Sequence, residues 1–519
     1  MGHLNIPDNI GLIVSSYLVS LIFLPLFLFL SIFFYVFKLV LRIYLTLRHG
    51  RKFVGLVQGG DCLWTLGLAH ESAIDVAVIF TLKSEEKKDL AEELKKRITT
   101  RILSNKQKYP KLNSTIHGFF GYGYMLRSTS TVDDLVSTVE ITEDNSNYSK
   151  SIEEIFSECG RQHFPVNNTS MWQMITINAP ASWKTKQNLK HNQYPILIRI
   201  HHVIGDGLSL TTNLVNIFSD EPVDFTKNLS QSMKHSLPKE PSAIEKILQF
   251  LHVIMLTPGY VFLRKFIRDA PQDVKIFKPA PAVSGERDFY FVHDEKVLET
   301  IKRIKKNVGD TAFIEIIFTV LSKSFENYFV NAKLDIPDVA IQVLPFISSI
   351  PKNSEQTQLT NSYSVLRFPI PILVKSDSLL TRLKEVKKYR RSTRNIIDFQ
   401  VRHFCWNYLC GLWSAYFVLP LEKLENLAMC FSNLPGCPKL NGVVGFDIEH
   451  IYFVPPQYTT LGLFGTFFTY DNELHVSIGI DKKFFTNREQ SRKIINDIFE
   501  NITLFDEETN TNNKINGNK

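Results

Sequence analysis

The stretch 9–37 contains no charged residue, and its apolar character continues past Lys38 to Leu45. About 20 apolar residues in a helix cross a bilayer, and a soluble core helix of this length would show a polar face. The run therefore predicts an N-terminal membrane anchor over 1–48. The shorter apolar region and small-residue cleavage site of a signal peptide are not evident. Pro25, mid-run, would kink one tilted span or turn a hairpin within one leaflet. Lys38, Arg42, Arg48, Arg51 and Lys52 follow the segment, whereas only His3 and Asp8 precede it. The positive-inside rule then puts the body in the cytosol. The endoplasmic reticulum is the expected membrane, with the plasma membrane and the lipid-droplet surface as alternatives.

The remaining chain is long enough for two lobes. Of the 519 residues, 44% are hydrophobic and 21% charged, which supplies a sizeable core and excludes wholesale disorder. The net charge of +7 is spread along the sequence without a basic arm, so nucleic acid is not an expected partner. Six cysteines form no Cys-x-x-Cys pair and no zinc-ligand spacing, and are expected as buried reduced thiols. Strand-like runs at 172–177 and 195–200 precede a helix-like stretch at 208–218. A polar, proline-containing linker covers 219–241, and a second apolar stretch, 247–263, is interrupted by His252 and Pro258-Gly259. It is expected to lie on the membrane surface or face substrate, with a core helix or a second span as alternatives. A second set follows: strands at 288–292, 339–344, 363–368, 450–454 and 475–480, with helices at 295–306 and 311–329. The polar, Asn-rich end, 506–519, reads as a disordered tail. Strands and helices mixed twice over predict a two-lobed α/β fold, with a first lobe over 49–218, a crossover over 219–285 and a second lobe over 286–505.

Chemistry concentrates in His201-His202-Val203-Ile204-Gly205-Asp206-Gly207. Ile196, Ile198 and Ile200 alternate toward one face of a strand that ends as the histidines begin, and the two glycines permit a tight turn into a helix. A neutral histidine at a strand end can take the proton from a hydroxyl attacking a thioester carbonyl. No covalent enzyme intermediate is required if both substrates sit in the site together. Asp206 is expected to shape the turn and Gly207 to leave room for the reacting groups. His201, His202 and Asp206 could also be metal ligands, but neighbouring strand residues point to opposite faces, so the two histidines would rarely share an ion.

At these residues the chain resembles the wax ester synthase/diacylglycerol acyltransferase family, within the chloramphenicol-acetyltransferase-like superfamily of CoA-dependent acyltransferases. Asp61-Cys62-Leu63-Trp64 is similar to the family's opening element, and 201–207 to its catalytic motif. Thr360-Asn361-Ser362-Tyr363 is similar to a segment beside the active site, and Ser432-Asn433-Leu434-Pro435-Gly436 to a further conserved stretch, with Cys437 where proline is usual. The resemblance implies His202 as general base, acyl-CoA as donor, and a long-chain alcohol or diacylglycerol as acceptor, with no metal or redox cofactor. Alternatives are another acceptor, such as a sterol, small alcohol or amine, or a non-catalytic lipid-binding protein retaining the fold. Ile314-Glu315 stands where the family carries an Asn-Asp pair, so Asn361, Ser432 and Asn433 become the candidate oxyanion donors.

Overall fold

The computed structural model describes residues 6–65, 73–82, 89–141, 150–162, 170–178, 193–221, 223, 242–267, 284, 286–347, 358–392, 396–422, 429–457, 462–485 and 487–517. Seven strands occupy the first half: β1 (Phe53–Leu56), β2 (Ala73–Leu82), β3 (Ser114–Phe119), β4 (Tyr122–Arg127), β5 (Val136–Val139), β6 (Trp172–Ile177) and β7 (Gln193–His201). The second half holds β8 (Arg287–Asp294), β9 (Val339–Ile347), β10 (Tyr363–Pro371), β11 (Met429–Cys437), β12 (Phe446–Val454), β13 (Leu463–Tyr470) and β14 (Glu473–Asp481). They build a five-stranded sheet ordered β12-β2-β7-β6-β5, a six-stranded sheet ordered β10-β9-β11-β13-β14-β8, and a small sheet β1-β4-β3. The expected strands are all present. The last hairpin turns on Asp471 and Asn472, both at positive φ, which Asp and Asn tolerate better than most residues.

One strand breaks the expected division of the lobes. β12, from the second half, pairs antiparallel with β2 from Asp75 to Leu82 and so closes an edge of the first sheet. β2 is consequently a central strand, and its run from Ala73 to Phe80 is buried on both faces. Between the sheets lies a fully buried ion triad. Asp75 on β2 binds Arg199 of β7 at 3.0 Å and Arg287 of β8 at 3.2 Å. Most of the linker 219–241 lies outside the described residues.

One expectation is corrected, and one of the two alternatives for the N-terminal run is decided. The segment 506–517 is not a loose tail but the end of the helix Arg488–Gly517. Its polar residues have partners: Asp506 accepts from Arg303, and Glu508 accepts from Ser378 Oγ and the Leu379 amide at the start of the helix Leu379–Ser392. Low hydrophobicity there reflects capping and ion pairing. The apolar N-terminus is one continuous helix, Ile6–His49, that passes through Pro25 and makes no hairpin.

Rather than standing off the body, this helix lies along it. Lys38 Nζ donates to Gly411 O, Ser31 Oγ accepts from Trp413 Nε1, and Leu41 and Leu45 are buried against Tyr122 and Tyr124. Its first half packs beside the helix Ala243–Phe262, formed by the second apolar stretch. Phe23 stacks on Phe262, and Ser20 Oγ accepts from the Gly259 amide at 2.8 Å. A Cβ on Gly259 would fall 1.9 Å from Ser16 O, so only glycine allows this approach. Both helices are long and apolar enough to cross a membrane. Leu18, Ile22, Leu26, Phe29, Ile247 and Leu251 leave a broad apolar surface exposed across the pair. Gly259→Leu is expected to force the helices apart, lowering stability by roughly 1–3 kcal/mol, read as a reduced thermal midpoint in detergent.

Candidate active site

The strand β7 ends at His201, the turn follows, and the helix Gly207–Phe218 begins. The two histidines diverge as strand alternation requires. His201 is 3% exposed, and its Nδ1 accepts from the Val203 amide at 3.2 Å. It is a packed part of the turn, and burial pushes it down to about 3. His202 faces the other way, stacked on Trp64 at a centroid distance of 3.9 Å and 5.8 Å from the Tyr363 ring. Burial pushes its imidazole down to about 4, so it is neutral at physiological pH.

A buried polar cluster holds the turn from beneath. Asp61, in the short helix Gly59–Trp64, accepts from Lys111 Nζ at 2.5 Å and from both the backbone amide and Nδ2 of Asn361, at 2.9 and 2.8 Å. Lys111 also donates to the carbonyls of Val203 and Ile204, and Asn361 Nδ2 to the His202 carbonyl at 2.7 Å. Gly60 permits this contact, since a Cβ there would lie 2.6 Å from Asn361 O. Burial raises the Asp61 carboxyl, and Lys111 opposes that shift.

Asp206 caps the helix. Its Oδ1 accepts from the Ser209 amide and its Oδ2 from the Ser362 amide, both at 2.9 Å. Both carboxylate oxygens are therefore occupied by backbone donors, one from each half of the chain. Gly207 makes room, but for protein: a Cβ there would lie 3.0 Å from Leu434 of β11. Ser432 on β11 is half-buried and Asn433 exposed. Glu315, at the position of the expected Asn-Asp pair, binds Arg390 at 2.7 Å in the second lobe.

Asn361 is bonded to the backbone of His202 and influences its imidazole. His202 Nδ1 and Asn361 Oδ1 are both buried without a hydrogen-bond partner, a donor and an acceptor of complementary type. The Asn361 side chain favours the charged imidazole, against the larger effect of burial. The Asn361 carbonyl oxygen is complementary to a proton on Nδ1, a tautomer that would leave Nε2 unprotonated. Sequence reasoning missed Lys111, a lone lysine outside any pattern, and gave Trp64 no role beyond its motif.

Residues 359–503 match the WS/DGAT C-terminal domain. No curated protein matches the chain. A wax ester synthase/diacylglycerol acyltransferase from Marinobacter aquaeolei VT8 is similar in structure, with TM-score 0.55 and 12% identity over 88% of this chain and 100% of that one. TRI3 trichothecene 15-O-acetyltransferase from Fusarium sporotrichioides gives 0.56 and 13%, over 86% and 94%. The first condensation domain of the CDA synthetase gives 0.52 and 9%, over 88% and 97%. The chain thus shares the two-lobed α/β fold of these proteins.

Asn361→Ala tests the positioning contact. Removing a group that favours the charged imidazole lowers its pKa further. The acid limb of kcat/KM, expected near about 4 in the parent protein, should move to lower pH in the variant. Turnover should drop on the order of tenfold, part of the 10²–10⁴ that a general base supplies. A purely structural role would lower yield or stability and leave the limb in place.

Proposed function

We propose that this chain, whose second lobe carries a WS/DGAT C-terminal domain, transfers a fatty acyl group from acyl-CoA to a long-chain alcohol or diacylglycerol. The product is a wax ester or a triacylglycerol, with CoA released. The observation that carries the reading is the neutral His202, held between Trp64, Tyr363 and Asn361 where the two halves of the chain meet. Its Nε2 takes the acceptor's hydroxyl proton as the oxygen attacks the thioester carbonyl. The carbon–oxygen bond forms, the carbon–sulfur bond breaks, and the proton passes to the departing thiolate. No metal or redox cofactor takes part in this transfer.

Because both amide hydrogens of Asn361 are engaged by Asp61 and the His202 carbonyl, the oxyanion needs another donor. Ser432, two residues before the Leu434 that packs on Gly207, is the better placed candidate. A polyanionic donor suits the second lobe. Lys302, Lys305, Lys306, Lys387 and Arg390 outnumber Asp310 and Glu315 in the lining of a cavity of about 880 Å³. The helix bearing Lys387 and Arg390 follows β10, whose first residue, Tyr363, faces His202. Hydrophobic substrates would arrive through the bilayer, where the N-terminal helix and Ala243–Phe262 anchor the protein with its body in the cytosol, at the endoplasmic reticulum.

The test is thioester cleavage by the purified full-length chain in detergent, with lipid products identified across long-chain alcohols, diacylglycerol, a sterol, a small alcohol and an amine. CoA release matched by wax ester or triacylglycerol is expected. Ester or amide formation only with one of the other acceptors would replace the acceptor assignment, and no acceptor-dependent CoA release would overturn the enzyme reading.

A further inference from the structure

A second group of histidines lies outside the active site, at the seam between the two large sheets. His293 on β8 and His475 on β14 are direct cross-strand partners, so both side chains project to one face. His450 on β12 meets them from the other sheet. Its ring lies 3.9 Å from that of His293, and its Nδ1 is 3.1 Å from His475 Nε2. Glu473, two residues before His475, places Oε2 at 3.9 Å from His450 Nδ1.

We propose that His293, His450 and Glu473 bind a divalent transition metal, zinc being the best match, and that it staples the first sheet to the second. One ligand atom from each residue lies within 4.8 Å of the other two. A metal at the centre of a triangle that size is at most about 2.8 Å from each atom, so shifts of roughly 0.7 Å give ordinary zinc–nitrogen and zinc–oxygen bonds. Imidazoles with one carboxylate form a donor set that suits zinc.

Two further features point to a cation. Glu473 Oε2 and His475 Nδ1 are both buried without a hydrogen-bond partner, and the His475 residue is 1% exposed. The outer support of a metal site is also present. Tyr452 Oη is 2.7 Å from His293 Nδ1, an arrangement that fixes a ligating ring and leaves Nε2 for the ion. His475, whose Nε2 is 3.1 Å from His450 Nδ1, is a candidate for a fourth position.

The site is separate from the catalytic histidine. His450 pairs with Ile79, which pairs with Pro195, six residues along β7 from His201. At the rise of a strand this is about 20 Å. The role is structural, and the residues escape a sequence search because 157 and 23 positions separate His293, His450 and Glu473.

The experiment is elemental analysis of the full-length chain, purified in detergent without a histidine tag and dialysed against a weak chelator. About one zinc per chain is expected, with a lower thermal midpoint after strong chelation that zinc restores. His450→Asn and Glu473→Gln should each lose the metal while retaining the parent circular dichroism. Should either variant fail to fold, cobalt substitution of the parent protein decides: visible absorption from nitrogen and oxygen ligands supports the site. Less than about 0.1 metal per chain together with no zinc-dependent thermal shift, or full metal retention by the folded Glu473→Gln variant, overturns it.

Discussion

The contact on which the active site depends is the buried ion pair of Asp61 with Lys111, together with the Asn361 amide that shares the same carboxylate. Three remote segments meet at one pair of oxygens. Lys111 then reaches the carbonyls of Val203 and Ile204, and Asn361 the carbonyl of His202, so the backbone of the histidine turn is held from below. A buried ion pair adds little net stability, because desolvation offsets attraction, but losing one partner strands a charge. The cluster is best understood as fixing position. It sets the height and direction of His202 against Trp64, and the ring stack does the rest.

The two lobes are not independent units joined by a linker. β12 leaves the second lobe to complete the first sheet. Asp75 on that sheet binds Arg287 from the other. His202, the proposed base, comes from the first half of the chain, while Asn361 and Ser362, which hold its turn, come from the second. The site therefore exists only when both lobes are assembled. The two apolar helices lie against the same body, with Trp413 and Tyr122 buried next to the N-terminal one. An exposed apolar surface and a lobe interface thus belong to one packed structure, which suits the proposed reaction between a water-soluble thioester and a lipid acceptor.

Much of this was legible from local pattern. The alternation of Ile196, Ile198 and Ile200, ended by two histidines and a Gly-Asp-Gly turn, located the strand, the turn and the divergence of His201 from His202. Asp206 read as shaping the turn, and the structure adds that it does so as a helix cap. Hidden from the sequence were features set by long-range pairing. β12 reads as a strand but not as a member of the first sheet. Lys111 has no local signal. Asn361 read as an oxyanion donor because its motif lies near the site, yet its amide hydrogens are taken by Asp61 and the turn. The polar end of the chain read as disordered because composition does not show that Asp506 and Glu508 have partners waiting on other helices.

The central claim is that His202, and not its neighbour, is the base. The direct measurement is turnover and acyl-CoA affinity for His202→Ala and His201→Ala, each normalised to folded protein. His202→Ala should lose roughly 10²–10⁴-fold in turnover and still bind acyl-CoA, because the imidazole acts on the acceptor hydroxyl. His201→Ala should mainly lose stability, since its ring packs inside the turn, and keep most of its rate per folded molecule. An inactive His201→Ala beside an active His202→Ala would contradict the account.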